Sequence, residues 1–163
     1  GHFHPTESVA DKISAILPFS GEILLHISRG VRWDSDHVVL LNDEVRDLAS
    51  EIVRSQALER IHIALDYFDA SFNRIGAWVL GARSVLKALL IALLEPQEKV
   101  RELEPAAKAL QRLSLLEELK TLPFGPVWDE YCLRNAVPPG EEWLREVEAY
   151  ERRQRRSCAQ GSR

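Results

Sequence analysis

Apolar positions along this chain follow two rhythms, and the change between them divides it. Over residues 1–95, short apolar runs alternate with longer stretches in which apolar residues recur every three or four positions. Residues 22–27 and 60–65 are of the first kind, near-continuous in Ile, Leu and Ala. Such runs are expected of strands buried on both faces of a parallel sheet. Val9, Ile13, Ile16 and Leu17 form one helical face, and Val45, Leu48, Ala49, Ile52 and Val53 form another. Thr6 is the expected N-cap of the first helix, with Glu7 adding negative charge to its first turn and Pro18 closing it; Asn42 or Asp43 caps the second. Residues 1–5 read as the end of a further strand, and residues 72–94 as a long helix capped by Asp69 or Ser71, with Asn73 and Arg74 facing solvent. Helix and buried strand in alternation is the βαβ pattern of a parallel sheet with right-handed crossovers. Three or four strands can be placed, fewer than the eight a closed barrel of this kind needs.

Beyond Pro96 the pattern is helical only. Residues 97–104 and 106–121 are separated by Pro105, and Leu110, Leu113 and Leu116 share a side of the second run. Pro123 and Pro126 lead into a helix with Val127, Trp128, Tyr131 and Cys132; Pro138, Pro139 and Gly140 break it from a last helix with Trp143, Leu144, Val147 and Tyr150 on its apolar side. Trp128 and Trp143 suit either a subunit interface or a core. The expected organisation is therefore βα units over 1–95, a helical extension over 96–156 and a frayed tail over 157–163.

Candidate chemistry sits at the ends of the apolar runs. In Arg32-Trp33-Asp34-Ser35-Asp36-His37-Val38, two carboxylates stand two residues apart. In an extended backbone they leave the same face, about 7 Å apart at the α-carbons, and can converge on one cation. A polar turn whose Asp side chains cap backbone amides is the other reading of the same spacing. His2, His4, His26 and Asp66 lie near other strand ends. Each also has an ordinary reading, as a hydrogen-bonded histidine or a turn aspartate. If these groups meet, imidazole and carboxylate donors without thiolate favour Mn, Mg, Co or Zn over a soft metal.

Residues 1–7 (GHFHPTE), 31–41 (VRWDSDHVVLL), 62–71 (HIALDYFDAS) and 123–132 (PFGPVWDEYC) carry a specific resemblance. Across residues 1 to about 151 the chain resembles the C-terminal part of bacterial L-rhamnose isomerases. The resemblance implies an α/β fold: the C-terminal part of a (β/α)8 TIM barrel, xylose-isomerase-like, followed by an all-helical extension. It implies interconversion of L-rhamnose and L-rhamnulose, with Mn2+ as catalytic cofactor and Zn2+, Co2+ or Mg2+ as alternatives at either of two sites. His2, Asp34 and Asp36 are then ligands of the catalytic ion, with His4 nearby, and His26 and Asp66 are ligands of a second, structural ion. Asp66 is also a candidate catalytic group, positioning a water that shuttles a proton. A cytoplasmic homotetramer is implied for the intact enzyme. Because upstream ligands and sugar-contacting residues are missing from this chain, the segment alone is expected to be inactive. Another metal-dependent sugar isomerase or epimerase, or a non-catalytic helical interaction module, are the alternatives.

Composition changes this picture little. The 163 residues are 45% hydrophobic, enough for a core, and the formal charge of −4 argues against a nucleic-acid partner. No methionine is present, so Gly1 is expected to be a cut or a processed end. Cys132 and Cys158 lack a CxxC partner and read as reduced thiols. Residues 76–94 alone raise a transmembrane question, but Arg83 and Lys87 near the middle would each cost about 2.5–3.5 kcal/mol in a bilayer. No membrane partner is expected. The basic run at residues 152–156 is read as charge that complements a helix C-terminus.

Overall fold

The computed structural model describes residues 8–31 and 34–161. His2, His4, Thr6, Glu7, Arg32 and Trp33 lie outside the described residues, as does the strand expected at the start. Among the described residues the chain is a helix-rich α/β structure of seven α-helices and four short strands.

Helix α1 (Val9–Ile16) starts at Ser8, not at the expected Thr6. The deciding feature is Asp11: Ser8 accepts from the Asp11 amide while the Asp11 carboxylate accepts from the Ser8 amide, a reciprocal capping box. Strand β1 (Ile23–Ile27) follows, then an antiparallel hairpin of β2 (Arg29–Val31) and β3 (Asp34–His37). Helix α2 (Asp43–Arg54) is capped by Asn42, whose Oδ1 accepts from the Val45 amide at 3.0 Å. Its Val45, Leu48, Ala49 and Ile52 are all buried.

Strand β4 (Ile61–Leu65) lies parallel to β1, pairing Ile23 with Ile61 through Ile27 with Leu65. The exposure of these strands corrects the expectation of burial on both faces. Ile23, Leu25, Ile27, Ile61, Ile63 and Leu65 pack on the hydrophobic core, whereas Leu24 on the other face is 61% exposed. Strand side chains alternate faces, and here the helices cover only one of them. Among the described residues, the sheet contains β1 and β4 alone. A closed barrel is therefore not displayed; two adjacent parallel strands with their helices are.

Helix α3 (Arg74–Leu94) packs along α2 and is the long helix expected from about residue 72. It is capped by Asn73, not by Asp69 or Ser71: Asn73 Oδ1 accepts from the Gly76 amide at 3.0 Å. Nor does Arg74 simply face solvent, since its guanidinium lies 4.4 Å from the centre of the Phe68 ring. By length and composition α3 could cross a bilayer. In this structure it buries Ala77, Gly81, Ser84, Val85, Ala88 and Ala92. At its C-terminal end Glu95 receives the Arg54 guanidinium at 2.7 Å and the Ser50 hydroxyl at 3.0 Å, fastening α3 to α2.

The extension contains α4 (Gln97–Glu102), a 3-10 turn (Ala106–Lys108), α5 (Ala109–Leu119), α6 (Gly125–Arg134) and α7 (Glu142–Gly161). Arg83 of α3 holds it. The guanidinium donates to the carbonyls of Pro138 (2.8 Å), Pro139 (2.6 Å) and Gly140 (3.3 Å), and lies near the rings of Trp128 and Trp143. Trp128 is buried, donates its indole N–H to Pro139, and serves the core rather than an exposed interface. Cys132 beside it is a buried free thiol. Prolines before the last helix supply carbonyls without amides of their own, which suits a planar donor fork. By contrast Leu110 (79%) and Leu113 (56%) of α5 are exposed, so their shared apolar side is not covered.

Arg83→Leu keeps an apolar stem but removes every one of these donors. Charge-assisted hydrogen bonds contribute about 1.5–3 kcal/mol each, not additively. The expected result is a loss of about 2–3 kcal/mol in chemical denaturation, with amide exchange rising first around α6 and the start of α7.

Candidate metal centre at the strand ends

The parallel register of β1 and β4 sets the centre of the site. His26 is the penultimate residue of β1, and Asp66 directly follows β4, its amide donating to Ile27 at 3.1 Å. His26 Nδ1 and Asp66 Oδ2 stand 3.0 Å apart, with side chains 56% and 68% exposed. These two sequence-predicted groups are thus brought together at the carboxyl ends of adjacent parallel strands. At that distance the imidazole and the carboxylate are within hydrogen-bonding or ion-pairing reach of each other. One imidazole nitrogen and one carboxylate oxygen is also the mixture that Mn, Co and Zn accept.

The two aspartates of the hairpin occupy β3, which is extended as expected. Asp36 is exposed, and Asp34 is described through its backbone. With His2 outside the described residues, the expected three-ligand set cannot be assembled from described side chains. Among the described residues no group of three or more His, Cys, Asp or Glu side chains is clustered for a metal.

Between Asp66 and α3 lies a loop that fixes where Asp66 stands. Tyr67 turns inward: its buried hydroxyl donates to Ala77 O at 2.8 Å, and burial pushes its phenol pKa up. It fits because residue 81 is glycine; a Cβ there would overlap the Tyr67 hydroxyl. Phe68 turns out beneath Arg74, and Asp69 turns in again. The Asp69 carboxylate, its side chain 4% exposed, accepts from the Ser71 amide at 3.0 Å and lies 3.1 Å from His37 Nδ1. The Ser71 amide, then the His37 ring and the Val38 amide, hold it below the ordinary aspartate range against the opposing effect of burial.

Sequence reasoning offered Asp69 only as a helix cap and did not single out His37. The available signal was position: a histidine adjoining the Asp-x-Asp motif and an aspartate three residues after Asp66. At the other end of the sheet, Glu22 and His62 form an exposed 3.3 Å pair on the amino side of the strands.

Residues 1–156 match the sequence profile of L-rhamnose isomerase (RhaA). The chain belongs to the L-rhamnose isomerase family. It is 60% identical over 152 residues to the L-rhamnose isomerase of Mannheimia succiniciproducens. The corresponding values are 58% over 151 residues for that of Bacteroides thetaiotaomicron and 59% over 152 for that of Escherichia coli O9:H4. Each match covers 93% of this chain, and the chain spans 36% of the length of these L-rhamnose isomerases.

Gly81→Ala tests the loop that carries Asp66 within this family frame. Overpacking costs about 1–3 kcal/mol, and better helix propensity returns about 1. A net loss of up to about 2 kcal/mol is expected, with the Tyr67 fluorescence or ring resonances shifting as its hydroxyl leaves Ala77. An unchanged Tyr67 environment would show that the close approach is not needed.

Proposed function

We propose that this chain is part of a metal-dependent L-rhamnose isomerase, contributing two neighbouring strands and their metal-binding ends to a TIM barrel that the rest of the polypeptide completes. The observation that carries this reading is the His26–Asp66 pair at the carboxyl ends of β1 and β4, in a chain of this family. Active sites of such barrels lie at that end. The uncovered face with Leu24 and His26 is the face a barrel would turn inward, since the helices pack on the opposite one.

Under this reading His26 and Asp66 hold a structural ion, while His2, Asp34 and Asp36 hold the catalytic one. Mn2+ is the proposed catalytic metal, with Zn2+, Co2+ or Mg2+ as alternatives. When bound, a divalent ion supplies Lewis-acid polarisation of the sugar carbonyl and stabilises charge on the neighbouring oxygen. The chain's own residues do the rest by placement. Asp34 and Asp36 stand two apart on β3, a spacing that places residues on one face of an extended strand. Asp66 sits at the mouth of the barrel, where it can orient a water and pass a proton between the two adjacent sugar oxygens. The reaction moves one hydrogen from C2 to C1 and one proton from O2 to O1, so aldose and ketose differ by no net redox change. The complete enzyme is proposed to be a cytoplasmic homotetramer. The exposed Leu110 and Leu113 of α5 are apolar surface that association would cover.

The complete polypeptide, stripped of metal and assayed on L-rhamnose, is expected to regain turnover on addition of Mn2+, whereas the 163-residue segment alone shows none above background. Replacing Asp34 and Asp36 together by Asn should abolish Mn2+ uptake at the catalytic position. Turnover by the segment comparable to the complete enzyme, or metal-independent turnover, would overturn the proposal; preference for a different sugar across a substrate panel would reassign the substrate.

A further inference from the structure

We infer that Asp69 is a positioning residue, which ties the strand bearing Asp34 and Asp36 to the loop bearing Asp66 and so sets the spacing between the two metal positions. This rests on the metal-dependent reading above and extends it to a residue that no ligand role requires.

The geometry is a strand end held from both sides. His37, the last residue of β3, brings its Nδ1 to 3.1 Å from the Asp69 carboxylate. The next carbonyl, that of Val38, accepts from Arg29 Nε of β2 at 3.1 Å. The Asp69 carboxylate is also fixed within its own loop by the Ser71 amide at 3.0 Å, and that loop is anchored on α3 through Tyr67. One nearly buried carboxylate thus joins three segments: the end of β3, the loop after β4 and, through Tyr67, the helix behind them. Among the described residues β3 and β4 belong to different sheets, and no backbone ladder between them performs this task. Side chains that orient ligands from behind set metal affinity, and removing one typically weakens binding ten- to a hundredfold.

The test uses the complete isomerase with Mn2+ as probe, read by the electron paramagnetic resonance of free Mn2+ and by thermal unfolding. Asp69→Ala is expected to bind the catalytic Mn2+ about tenfold or more weakly, with kcat recovering at saturating Mn2+. Asp69→Asn, which retains one carboxamide oxygen, is expected to fall between Asp69→Ala and the wild type. Glu22→Gln, at the opposite end of the sheet, should leave Mn2+ affinity unchanged. A merely structural role would lower the unfolding temperature and leave Mn2+ affinity alone. A folded variant of Asp69 that binds Mn2+ as tightly as the wild type overturns the inference; if Asp69→Ala does not fold, Asp69→Asn decides. A wild-type enzyme that neither binds Mn2+ nor needs it for turnover would instead defeat the metal-dependent reading, and the role of Asp69 with it.

Discussion

The parallel pairing of β1 with β4 is the constraint on which everything else depends. Because the register runs from Ile23–Ile61 to Ile27–Leu65, His26 and Asp66 emerge beside each other although forty residues separate them in the chain. A shift of one residue would turn the alternate Ile and Leu side chains away from α1, α2 and α3 and send His26 into the core instead. The hydrophobic pattern therefore places the polar pair as a by-product of burying its neighbours. The polar pair at the strand ends and the packing beneath it are one decision.

A second level of order lies in the connection from β4 to α3. Its residues alternate in direction even though the strand has ended: Asp66 out, Tyr67 in, Phe68 out, Asp69 in. Each inward group finds a specific partner, Tyr67 on Ala77 and Asp69 on Ser71 and His37. Loops are usually the mobile parts of a fold. This one has two buried polar anchors, each satisfied, and a glycine on the facing helix that admits the larger of them.

Much of this was legible in the sequence, and the failures have physical causes. Val45, Leu48, Ala49 and Ile52 of α2 are buried as expected and Val53 partly so, and β4 follows the expected run closely, because local pattern and global packing agree there. The cap of α1 was misplaced since Thr6 and Ser8 are both N-cap residue types, and the reciprocal bond with the Asp11 carboxylate, three residues on, selects Ser8. The same applies to Asn73 against Asp69 and Ser71. Burial on both faces of β1 was inferred from a continuous apolar run, yet such a run reports the face that packs and says nothing of what covers the other. The pairing of His26 with Asp66 followed from the family resemblance and from both lying at strand ends; the His37–Asp69 contact spans thirty-two residues and has no periodic signature, so only folding reveals it.

Arg83 has a consequence beyond anchoring. Its guanidinium reads three successive carbonyls beside two prolines, so a fork with a fixed shape, together with the buried Trp128 and Val147, locates the helical extension relative to α3. The leucine-bearing helix before it, with Leu110 and Leu113 facing outward, takes no part in that anchor. In such an arrangement the outer surface can be rewritten for new neighbours while the inner scaffold stays in register.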